Sequence, residues 1–185
     1  MAPVGLCRDP RRSSRGFTLV ELMTVVLITG VLAAIGVVLV QKHVVQARAN
    51  QALVGLQAIR VGEEGYRAHY GQYLDCSPAD AQWYPVAEPT RTKYDWRTSR
   101  SDWACWKQLG VMRLGGTAFG YKVNAGRPGD PYPTYATTAQ MSYPTPAPDL
   151  WYVIQYKGNV DGDDKYSYGV TSSYSTDVFF QDQLE

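Results

Sequence analysis

Phe17 opens a run of 24 residues, ending at Val40, in which Glu21 is the one charged side chain. At about 1.5 Å per helical residue such a run extends roughly 36 Å, and a hydrocarbon core is about 30 Å thick. The pattern predicts a helix that is apolar all round, as a membrane span must be. Beyond it, residues 41–70 become one-faced. Ala49, Leu53, Leu56, Ile59, Tyr66 and Tyr70 recur at helical steps, while Gln46, Arg48, Gln51, Arg60 and Arg67 are expected to belong largely to the wet side. One helix over 17–70 is predicted, its second half lying against a folded body.

The remaining pattern is different in kind. Residues 71–118 carry turn signals at Ser77-Pro78, Tyr84-Pro85 and Glu88-Pro89, and hold Trp83, Trp96, Trp103 and Trp106. A short helix is predicted over 102–109, capped by Ser101 or Asp102. The last third reads as strands. Residues 118–124, 150–156, 165–171 and 177–181 are β-branched and aromatic, with turn residues between them. Lys157 to Asp164 suits a hairpin connection, and the proline-rich 126–149 a surface excursion. The predicted class is α+β: a long N-terminal helix packed on an antiparallel sheet of about four strands.

Composition adds direction to this plan. The whole chain of 185 residues has a net charge of +1, which conceals a split. Residues 1–16 hold Arg8, Arg11, Arg12 and Arg15 against Asp9, and the rest is slightly acidic. Positive charge beside an apolar span stays cytoplasmic, so the bulk of the chain is expected outside. A secretory signal peptide fits poorly, because its cut follows a shorter apolar segment. No basic patch marks a direct nucleic-acid site. Cys7 lies in the basic leader. Cys76 and Cys105 fall on the outer side, where disulfides persist, and a bridge between them is expected over two buried thiols.

Residues 13–23, Ser-Ser-Arg-Gly-Phe-Thr-Leu-Val-Glu-Leu-Met, carry four unlike features in fixed register: a basic polar stretch, a glycine, an apolar run opening on phenylalanine, and a glutamate four residues on. This stretch resembles the type IV prepilin signal, shared by pilins and secretion pseudopilins. The resemblance is strong over 13–40, weaker to Tyr70, and architectural beyond. It implies a type IV pilin fold and the following organisation. Residues 1–16 are a leader removed by a prepilin peptidase, 17–40 the membrane-spanning and filament-core half of the helix, 41–70 its amphipathic half, and 71–185 a globular domain. Cleavage falls between Gly16 and Phe17, with N-methylation of the new Phe17 amine. Glu21 is the subunit-assembly residue, attracting the Phe17 amine of a neighbour in an apolar filament core, where ionic attraction strengthens.

The same resemblance implies the partners: the peptidase, copies of this chain or other pilins in a helical filament, an inner-membrane assembly platform and its cytoplasmic ATPase. It places the precursor in the inner membrane and the product in an extracellular pilus. The alternatives are a periplasmic type II secretion pseudopilus, or a minor pilin whose Trp-rich stretch at 83–106 is the contact surface of a binding tip. The family usually has a proline where Val38 stands. Gly36 can loosen the helix in its place, or Gly30 and Gly36 allow close helix packing.

Other chemistry is sparse. Asn159, Asp161, Asp163 and Asp164 alternate like the opening of a calcium loop, and pseudopilins often hold calcium near their carboxyl end. The loop lacks the later glutamate that completes such a site, and Asp-Gly equally serves a hairpin turn, the favoured reading. His43 and His69 come with no nucleophile or metal spacing. Glu63 and Glu64 point along different directions of a helix, so they make no acid/base pair. The expectation is a structural protein with no cofactor, and not an enzyme.

Overall fold

The computed structural model describes residues 16–78, 82–97, 99–111, 115–133, 141–163 and 165–181. The expected leader, except Gly16, lies outside the described residues. So does Asp164. The chain divides into two units, Met1–Lys42 and His43–Glu185.

Helix α1 runs Leu19–Tyr70 without a break at Gly30 or Gly36. In the first unit its described large apolar side chains between Phe17 and Val40 are exposed, and it is the one described helix long and apolar enough to cross a membrane. Its hydroxyls turn inward on the backbone: Thr24 Oγ1 donates to Val20 O at 2.9 Å and Thr29 Oγ1 to Val25 O at 2.8 Å. Hydroxyls satisfied within the helix leave the run apolar outside, as a lipid environment demands.

The second unit is an α+β body. Helix α2 spans Trp103–Gln108. Strands β1 (Phe119–Gly126), β2 (Trp151–Gly158), β3 (Ser167–Ser172) and β4 (Ser175–Gln181) form one antiparallel sheet in the order β1-β2-β3-β4. Each neighbour in sequence is therefore a neighbour in space. The register sets Tyr121 opposite Tyr156 and Val123 opposite Ile154. These side chains, with Tyr152, join Ala49, Ala52, Leu56 and Ile59 of α1 in the main core.

The sheet's other face is also buried. Trp151, Val153 and Val170 pack with Met141 and Ala147 from the proline-rich excursion, flanked by Tyr132, Tyr143 and Tyr174. This explains why β2, Trp-Tyr-Val-Ile-Gln-Tyr, shows no alternation of apolar and polar positions: both its faces are covered. The predicted strands and short helix stand within about two residues of these bounds at each end.

Two placements on α1 differ from the sequence expectation. Arg60 leaves the wet side. Its Nη2 donates to Thr171 Oγ1, Ser172 O at 3.1 Å and Ser175 O at 2.6 Å, binding the β3–β4 turn to the helix. Tyr70 is 60% exposed and Tyr66 half-buried, whereas Glu63 is fully buried. The inward stripe is Ala52, Leu56, Ile59 and Glu63, at steps of four, three and four. A carboxylate thus occupies the place where a periodicity read from hydrophobicity alone looks for another apolar side chain.

Candidate processing and assembly site

The helix starts one residue after Thr18, so the Gly16–Phe17 bond lies outside it. That placement matters because a protease needs its substrate backbone extended, and a peptide inside a helix has to unwind first. Phe17 is 74% exposed, and a side chain added at Gly16 meets nothing within 4 Å. Among the described residues nothing obstructs the approach to the bond.

Thr18 and Glu21 close the helix end reciprocally. The Glu21 amide donates to Thr18 Oγ1 at 3.2 Å, and Glu21 Oε2 accepts from the Thr18 hydroxyl at 3.3 Å and, at the long limit of 3.5 Å, from the Thr18 amide. This is a capping box, which satisfies amide donors that the first helical turn leaves without partners. It also fixes the Glu21 carboxylate at the positive end of the helix dipole, where a negative charge is favoured. Sequence reasoning that takes Glu21 as an assembly residue passes over this, although Thr-x-x-Glu is its signature.

The disulfide Cys76–Cys105 is present, with a Cα–Cα distance of 5.5 Å. It ties the segment after α1 to α2. Above it the aromatic side chains turn inward. Trp96 and Trp106 are 1% and 0% exposed, Tyr84 stacks on Trp106 at 5.2 Å, and Trp96 on Tyr121 at 5.4 Å. Two of the four tryptophans expected to form a contact surface are therefore core, because flat rings of this size bury more apolar area inside than any neighbouring aliphatic could.

The acidic loop is organised as a turn. Asn159 Oδ1 accepts the Gly162 amide at 2.6 Å, Asp161 Oδ1 the Asp163 amide at 3.2 Å, and Asp163 Oδ1 the Lys165 amide at 2.8 Å. Gly162, at φ +90, lies against the Arg91 guanidinium. Oxygens that serve backbone amides, beside an arginine, suit a hairpin connection. His43, His69 and Glu64 are exposed, and no group of three or more metal-ligating His, Cys, Asp or Glu residues occurs among the described residues.

Comparison with known proteins places the amino-terminal region. The family model described as the prokaryotic N-terminal methylation motif matches residues 11–37. Fimbrial protein EcpB of Eikenella corrodens is 42% identical over 57 residues, 31% of this chain and 36% of that protein. The chain thus matches little more than a third of its relative's length. No solved structure matches significantly. The chain carries the N-terminal methylation motif at residues 11–37 and is similar to a fimbrial protein over 31% of its length.

Proposed function

We propose that this chain is the precursor of a type IV pilus subunit. It is anchored in the inner membrane by residues 17–40, cut between Gly16 and Phe17 by a prepilin peptidase, N-methylated at Phe17, and polymerised with copies of itself or other pilins into a surface filament. The observation that carries the proposal is the junction itself: a glycyl bond, unobstructed among the described residues, just ahead of a helix whose first turn holds a single carboxylate in an otherwise apolar, exposed run.

The physical logic follows from charge. Cleavage releases a cationic Phe17 amine at the rim of an apolar rod, and the rod offers one anion, Glu21. A neighbour's amine gains more from Glu21 in a water-poor filament core than either charge gains alone in lipid, since Coulomb attraction grows as the dielectric falls and an unpaired intramembrane carboxylate is costly. The platform and ATPase of such systems would supply the work of extraction. No metal or catalytic group enters this reading, and Asn159, Asp161 and Asp163 serve their turn.

A pilus is favoured over a secretion pseudopilus because the body is large, aromatic and clamped by a disulfide. The test is Glu21→Gln in the native host. Cleavage is expected to proceed while the variant fails to enter filaments. Filaments of normal number and composition would sink the Glu21–Phe17 pairing, and secretion lost with surface filaments intact on deletion of the chain would favour the pseudopilus.

A further inference from the structure

Glu63 is fully buried on the core-facing stripe of α1. Its Oε2 accepts the Leu74 amide at 2.9 Å, and its Oε1 has no hydrogen-bond partner among the described residues. Leu74 sits in the short segment that begins where Gly71, at φ +72, ends the helix, and that is fastened at Cys76 to Cys105 of α2. Beside it, Gly62 lies against the Leu109 carbonyl, so the residues following α2 close over the same stretch of helix.

The charges that bear on Glu63 are of its own sign: Asp75 from the 71–76 segment and Glu64 from the helix. Arg67, one turn further on, is engaged elsewhere, donating to Tyr73 Oη at 2.7 Å, while Tyr73 Oη in turn donates to Glu64 Oε1 at 3.0 Å. From α2 and the residue after it, the buried groups are the uncharged Trp106 and Leu109, and Lys107 is exposed. A buried carboxylate without a facing cation is far costlier as an anion than as a neutral acid. Burial, reinforced by Asp75 and Glu64 and opposed by the Leu74 hydrogen bond, raises its pKa from the ordinary 4.5 to about 8.

We propose that Glu63 is a proton-operated latch: as the neutral acid it holds the 71–76 segment down on α1 through the Leu74 amide, and loss of its proton to solvent releases that segment together with the α2 to which it is disulfide-linked. One amide bond to the anion does not offset the lost hydration, so the ionised carboxylate reaches for water and the segment moves with it. The sign follows from linkage. The closed state binds the proton more tightly than the open state, so closure is strongest at pH below 4.5 and weakens as pH rises towards about 8. The slope approaches tenfold per pH unit within that window.

The test is amide hydrogen exchange on the full chain in detergent micelles, read as the protection factor of Leu74 between about pH 5 and 9. Wild type is expected to lose protection by up to about tenfold per pH unit, Glu63→Gln to show a flat profile, and Glu64→Gln to keep the wild-type slope. A flat wild-type profile, or a sloping one in Glu63→Gln, overturns the latch. Should Glu63→Gln fail to fold, infrared spectroscopy of wild type decides. A protonated-carboxyl band that persists through neutral pH and titrates away under alkaline conditions supports the proposal, and its absence at neutral pH overturns it.

Discussion

At Gly55 two preferences oppose each other. Glycine inside a helix costs about 1 kcal/mol relative to alanine, so replacement ought to stabilise α1. A Cβ there, however, meets Tyr121 Oη at 2.0 Å and the ring carbon behind it at 2.5 Å. Tyr121 is 1% exposed and its ring stacks on Trp96, so it has little room to retreat. Overpacking of this kind costs about 1–3 kcal/mol, and the packing effect wins. Gly55→Ala is expected to lower the thermal midpoint, and adding Tyr121→Phe to recover part of the loss. A raised midpoint in the single variant would show that propensity governs the site.

Arg60 is the other residue whose role lies in its contacts. One guanidinium nitrogen serves three acceptors around the β3–β4 turn, and Nη1 lies 3.4 Å from a fourth, Thr176 O. Hydrogen bonds from a charged donor exceed neutral ones, so Arg60→Ala is expected to cost about 2–3 kcal/mol. Arg60→Lys restores little, since a compact ammonium cannot span the fork. Denaturant titration of both variants checks this, and near wild-type stability in the lysine variant would refute the geometric requirement.

Among the elements, the stretch between α1 and β1 is held in three ways. The disulfide fixes its start to α2, and Tyr84 and Tyr94 pair with Tyr121 and Thr117 through reciprocal backbone bonds of 2.7–3.0 Å. Those pairs cover the edge of β1, which otherwise offers unpaired amides to any passing strand. The aromatic stack supplies the burial. Closing a loop between cysteines 29 residues apart contributes about 3–4 kcal/mol on the chain-entropy account. Cys105→Ser should lose about that much while leaving strand content, read by circular dichroism, unchanged below the midpoint. An unchanged midpoint would mean the aromatic packing suffices alone.

For the molecule as a whole, the exposed apolar half of α1 and the two-sided body impose different needs. The body satisfies itself, with a core on each face of the sheet. The apolar half of α1 does not: its described side chains are exposed, and the proposed anchor in lipid and packing against copies of itself would cover them. If the processing proposal holds, intact-mass measurement of the membrane or filament form should show a chain beginning at Phe17 and heavier by one methyl group. A mass starting at Met1 in assembled material contradicts it.

Much of this architecture is legible before any coordinates. Long apolar runs, one-faced helical periods and turn-bounded aromatic segments follow from local rules, which is why α1, α2 and the four strands lie near their predicted bounds. The place of Glu21 in the first turn of α1 is local too, since Thr-x-x-Glu marks a helix start, and the expected pairing of Cys76 with Cys105 is present. Three-dimensional packing alone decides the rest. Arg60 looks solvated until the β3–β4 turn folds onto it, Trp96 and Trp106 look like a surface until they stack with Tyr84 and Tyr121, and Glu63 is set apart from its neighbour Glu64 by direction alone until Leu74 closes over it. Hydrophobic period reports which way a side chain points along its own element. Whether water still reaches it depends on segments far away in the chain, and that is a property of the tertiary fold.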